Sequence, residues 1–178
     1  MNFSFLGPFH PYIVHTPIAL LIFSAFFAVV GRLFDRDWLR KASVLMLVFG
    51  FVGAVLAEQS GKPAHRVPEH EQGVPEDAID EHAAEAMWVT RLSGGALVAL
   101  GIAARVKGPV ANGLGVLALV LQIFAAMAVG VTGYRGGKLV YEHGANVKVD
   151  GALVKSAHAG ERAEHEEKAG GGGEPERR

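Results

Sequence analysis

His10-Pro11-Tyr12-Ile13-Val14-His15-Thr16-Pro17-Ile18-Ala19-Leu20 opens an apolar run that continues through Val30 without a charged residue. About twenty apolar residues in a row are what a helix needs to cross a bilayer, so the stretch reads as a membrane helix with two imidazoles at its start. Nothing in the first ten residues is charged, whereas an export signal begins basic, has a shorter apolar core and ends at a small-residue cleavage site. The stretch therefore reads as a retained span that presents histidine at the water–lipid boundary. Pro11 suits a first helical position. Pro17 lies deeper and has no N–H for the carbonyl of Ile13, which predicts a local kink.

Outward from this stretch, half of the 178 residues are hydrophobic and they are gathered in blocks. Spans are expected at about residues 11–34, 42–58, 83–104 and 109–133. The predicted fold is all-α, an integral membrane four-helix bundle in residues 1–153. A charged, glycine-rich tail follows over 154–178; it cannot bury apolar area, and its composition predicts disorder. On the second span Gly50, Gly53 and Ala57 permit close approach of a neighbour. The third is expected to begin outside the membrane at Pro75-Glu76-Asp77, where acid complements a helix N-terminus, with Trp88 as an interface anchor. The fourth can continue to His143, with Gly144 as a stop, and Gly136-Gly137 offers a break at which it can fold back. Residues 138–153 suit a short ordered cap, for which helix and strand both remain open.

The connections set an orientation. Arg32, Arg36, Arg40 and Lys41 lie between spans one and two, and Arg105 and Lys107 between spans three and four. The opposite side carries an acidic loop, Glu69 to Glu81. Positive residues favour the cytoplasmic side, which predicts a bacterial inner-membrane protein with both termini periplasmic. A net charge of −1 without a basic stripe argues against nucleic-acid binding. With no cysteine, disulfides, thiolate metal sites, Cys-held iron–sulfur clusters and covalently attached haem are excluded. No Ser-His-Asp arrangement, phosphate loop or H-E-x-x-H motif is present, so a non-enzymatic electron-transfer or accessory role fits better than hydrolysis.

All eight histidines fall on the outer side of this topology. His65, His70, His158 and His165 read as solvated loop and tail residues; His10, His15, His82 and His143 flank the spans. At about 1.5 Å per residue from the inner ends, His15 lies level with Glu58, and His10 with His82. His143 lies about ten residues further out. The glycines Gly130, Gly133, Gly136 and Gly137 leave room beside His82 for a neighbouring helix or for the edge of a macrocycle. Arg91 and Arg135 are candidates to hold haem propionates, and Arg91 can alternatively pair with Glu58 or Glu85, or snorkel to the interface.

The opening His10-Pro11-x-x-Val14-His15-x-Pro17-Ile18-Ala19-Leu20 and the late Gly136-Gly137-x-Leu139-Val140-Tyr141-x-His143-Gly144 resemble a bacterial four-helix membrane family, domain of unknown function 2231. The resemblance covers about residues 8–150 and implies the four-span architecture without an activity. That architecture is similar to small b-type cytochrome membrane domains, which by fold analogy implies haem held between histidines of different helices.

Three readings follow. In the first, haem b is ligated by His15 and His82 for electron transfer to a redox partner, with His10 or His143 as substitutes; the height count favours His10 opposite His82. In the second, His10, His15, His82, His143 and nearby carboxylates hold copper or zinc. In the third, the chain is a non-catalytic anchor or assembly subunit of a respiratory or envelope complex, with lipid as its main surroundings.

Overall fold

The computed structural model describes residues 4–64 and 72–154. The acidic-loop histidines His65 and His70, and the tail with His158 and His165, lie outside the described residues. A 3-10 turn, Ser4–Phe9, leads into a short helix α1, His10–Ile13, and then α2, His15–Leu33. Three long helices follow: α3, Asp37–Ala64, α4, Glu76–Ala103, and α5, Pro109–Tyr141. A two-residue-per-strand hairpin closes the described chain, with β1 Lys148–Val149 antiparallel to β2 Ala152–Leu153.

Four segments are long and apolar enough to cross a membrane: Phe5–Leu33, Asp37–Ala64, Glu76–Ala103 and Pro109–Tyr141. At 28 to 33 residues each, they exceed the roughly 20 that span hydrocarbon, so their ends stand in the headgroup layer. Lipid leaves a backbone no partner but itself, and continuous helix is the solution for these runs. The helices pack as a ring in which α2 touches α3 and α5, while α4 touches α3 and α5. Thus α2 and α4 face each other across the diagonal.

Small residues set the crossings. A Cβ on Gly50 would sit 2.7 Å from Leu21 Cδ2, and one on Gly53 3.1 Å from Pro17 Cδ, so α2 and α3 meet where the sequence placed its small residues. Leu21, Leu47, Ala54, Val89, Ala96 and Val129 form the apolar centre. In the half towards the 34–36 connection, Gln122 Oε1 accepts from Ser24 Oγ and Ser43 Oγ, each at 2.9 Å. Ser24 Oγ also has the Ser43 carbonyl at 3.0 Å. Its single proton serves one of these acceptors at a time. This buried polar knot joins three helices where lipid and apolar side chains offer nothing else.

The boundaries differ from expectation in instructive ways. The kink expected at Pro17 is an interruption at Val14, which separates α1 from α2 and lies next to the Ile13 carbonyl that Pro17 cannot serve. Helix α3 extends beyond 42–58 at both ends. Asp37 opens it and pairs with Arg40 at 2.6 Å, and Gln59 to Ala64 continue it past the apolar limit at Glu58. Helices continue into water where hydrophobicity has ended. Helix α5 runs through Gly136 and Gly137 without a break to Tyr141. The chain turns at Gly144, whose φ of 67° suits glycine. The cap over 138–153 is thus part helix and part hairpin, turned by Asp150 and Gly151 at φ 51° and 82°, the left-handed pair that a two-residue hairpin loop requires.

Candidate functional site

A cavity of about 440 Å³ lies at the His10 end of the bundle, and every long helix contributes to it. Its size is that of a small-molecule or cofactor pocket, which runs from about 300 to 1,000 Å³. The first arm supplies His10, Val14, His15 and Ile18; α3 supplies Ala54, Ala57 and Glu58. From α4 come Ile79, His82, Ala86 and Val89. The α5 wall includes Val129, Thr132, Gly133 and Gly136, and ends at Tyr141. The walls are mainly apolar, with three imidazoles and one carboxylate converging on them.

Local packing sets two of the imidazoles. Gly7 abuts Pro63 and Ala64, where an added Cβ would lie 3.4 Å away, so the 3-10 turn rests on the end of α3. That contact brings His10 Nδ1 to 2.9 Å from Ser60 Oγ. Ser60 Oγ also lies 3.0 Å from the Ala57 carbonyl. With its one proton given to that carbonyl, Ser60 accepts from Nδ1–H of His10. On α4, His82 Nδ1 lies 3.1 Å from the carbonyl oxygen of Thr132. A carbonyl only accepts, so Nδ1 carries the proton. With Nδ1 protonated, the neutral form of each ring carries its lone pair on Nε2, the tautomer that a second hydrogen bond fixes in ligating histidines. The His82 ring lies on Gly136, where a Cβ would come within 3.0 Å of Cε1.

His15 lines the same cavity and is exposed. Glu58 lines it half-buried and makes no ion pair among the described residues. His143 sits in the turn after α5 and is not among the lining residues. Arg91 is exposed and stacks over Trp88, 5.4 Å from the ring centroid, and is not among the lining residues. Arg135 pairs with Glu81 and, at 3.7 Å, with Glu85; it neighbours the cavity residue Gly136 in sequence without lining the cavity itself. Gly130 and Gly133 hold no helix close, because a Cβ on either meets nothing within 4 Å.

The family match covers residues 7–149, from the 3-10 turn to the first strand of the cap, and is to the predicted membrane proteins of DUF2231. This chain belongs to the DUF2231 family. Both histidine-bearing motifs and the whole cavity fall inside the matched region. No curated protein and no solved structure matches the chain.

Sequence reasoning missed three parts of this DUF2231 site. Ser60 was hidden in a polar stretch that read as loop, and the Thr132 carbonyl has no sequence signature at all. The third is Gln72, fully buried in the connection before α4. Its Nε2 donates to the carbonyls of Gly144 at 2.8 Å and Val154 at 2.6 Å, and its Oε1 accepts from Asn146 N–H at 2.7 Å. This clasp fastens the connection to the C-terminal hairpin. Beneath it Val74, Ile79 and Ala145 pack with Leu139, and the last three also line the cavity. The clasp and this cluster cover the His10 end of the bundle.

Proposed function

We propose that this membrane protein holds a b-type haem at the outer end of its bundle, with His10 and His82 as axial ligands, for electron transfer. The observation that carries the reading is the placement of two imidazoles on diagonal arms of the ring, both lining one cavity and both with Nδ1 engaged. Axial ligation needs only two protein donors, because the porphyrin supplies the equatorial nitrogens. Bare zinc takes three or four protein ligands, and among the described residues no group of three His, Asp or Glu is arranged to hold a metal ion. That favours haem over copper or zinc.

The chain's own residues divide the work. Ser60 and the Thr132 carbonyl hold the rings in one tautomer, and apolar walls exclude water. The missing side chain at Gly136 seats the His82 ring. Arg135 is the cation available to a cofactor carboxylate, in exchange for Glu81 or Glu85. Haem, when bound, supplies one-electron chemistry at iron. His15 gives way to His10 as the first-arm ligand because His10 is oriented by α3. The basic connections 32–41 and 105–107 support an orientation with the cavity and both termini on the periplasmic face of a bacterial inner membrane.

Titration of haem-free protein with haemin tests the reading. A saturable Soret shift at one haem per chain is expected, with His10→Ala and His82→Ala each abolishing the six-coordinate spectrum. Saturable binding that survives both substitutions would overturn the ligand assignment, and no binding would leave the anchor role.

A further inference from the structure

The cavity has a side mouth, and its place follows from which lining residues are exposed. Those of α3 and α4 are all buried or half-buried, whereas Pro11, His15, Gly133, Val140 and Tyr141 are exposed. All five belong to α1, α2 or α5, so the opening lies between the first arm and the last helix. On the α5 side its edge is bare, since a Cβ on Gly130 or Gly133 meets nothing within 4 Å. On the other side stands His15, which makes no hydrogen bond to the described residues.

Depth decides what the mouth faces. His15 lies eighteen residues from the inner end of α2 at Leu33, about 27 Å along a helix. Gly133 lies twenty-four residues from Pro109, about 36 Å. An apolar layer of about 30 Å then places the mouth at the outer boundary of the hydrocarbon, opening sideways into the leaflet. Among the described residues, the Gln72 clasp and the cluster beneath it cover the cavity from above. A ligand entering sideways must therefore be flat enough to pass along a glycine edge, apolar enough to come from lipid, and polar at one rim to meet an imidazole.

We propose that this mouth binds the headgroup of a lipid-soluble quinone, with its tail in the outer leaflet and a ring oxygen hydrogen-bonded to His15. A quinone carbonyl accepts from the N–H of the neutral imidazole, and a hydroquinone hydroxyl donates to its lone pair, so either oxidation state is held. The quinone's role as redox partner rests on the haem reading above; the binding itself does not.

Full-length protein in phosphatidylcholine nanodiscs, photolabelled with an azido-substituted short-chain benzoquinone, tests the site. Labelling is expected in the peptides carrying His15 and residues 133–141, competed by the unlabelled quinone. Loss of one hydrogen bond in His15→Ala should weaken competition about tenfold. Gly133→Phe, whose Cβ meets nothing within 4 Å and whose ring would occupy the open edge, should do so at least as strongly. Labelling spread along lipid-facing helices without competition would mean that acyl chains alone occupy the mouth, and would overturn the proposal. Spectra of the same samples separate the two readings. A haem spectrum without competed labelling overturns the quinone site alone, and competed labelling without a haem spectrum overturns the haem reading alone.

Discussion

His82 on α4 gives its Nδ1 proton to the backbone carbonyl of Thr132 on α5, at 3.1 Å. The bond cannot be removed by changing the Thr132 side chain, whose hydroxyl turns to Ala128 instead. Its weak point is the floor under the ring. A Cβ on Gly136 comes within 3.0 Å of His82 Cε1, so Gly136→Val should push the imidazole off its carbonyl. Loss of an orienting partner lowers affinity at ligating histidines by about 10- to 100-fold, and haemin titration should show a weakening of that order. Gly130→Ala meets nothing and should titrate as wild type.

Ser60→Ala removes the acceptor of His10 Nδ1. The ring is then free to change tautomer, and haemin affinity should again fall by about 10- to 100-fold. Thermal unfolding in detergent should move little, since a single part-buried hydrogen bond contributes about 1 kcal/mol.

Gln122→Leu separates stability from the site. It leaves the Ser43 hydroxyl without its acceptor in the apolar half of the bundle, while Ser24 turns to the Ser43 carbonyl, and an unsatisfied buried hydroxyl costs about 1–3 kcal/mol. Detergent unfolding should shift by that amount. The haemin titration should not change, because the knot lies far from the cavity.

Gln72→Ala cuts three hydrogen bonds at the roof. Amide exchange over residues 144–154 should accelerate at least tenfold, since about 1 kcal/mol per bond opposes opening. Exchange in the middle of α5 should stay as it was. Unaltered exchange in the hairpin would mean that the strands hold the cap without the clasp.

Acid should release haem. Iron binds the neutral imidazole, and protonation competes for the same lone pair, so affinity falls as pH drops and retention is greater in alkaline than in acidic buffer. A pH series of haemin titrations checks the sign.

The four spans were legible because lipid imposes one rule, helix throughout, on every long apolar run. Gly50 and Gly53 announced the α2–α3 contact for the same kind of reason, a missing side chain at a crossing. A height count along rods of known rise set His10 level with His82, whereas the ligand choice from sequence was His15 with His82; all three line the cavity. What counting from the ends did not give was the direction in which each ring points. That depends on Ser60, which lies beyond the apolar limit of its helix, and on a carbonyl, which every residue has. Gly130 and Gly133 read equally well as packing or as open space, and only the neighbours of a hypothetical Cβ separate the two. The Gln72 clasp joins positions 72 and 154, a contact that no local pattern in a single sequence encodes.

The central claim is that two imidazoles from opposite arms of the ring share one iron. The reduced-minus-oxidised spectrum of wild-type protein purified from haem-supplemented cells, beside that of His82→Ala, tests it most directly. The account predicts sharp low-spin α and Soret bands in the wild type and their loss in the variant. A featureless wild-type difference spectrum, or bands that persist in His82→Ala, would contradict it.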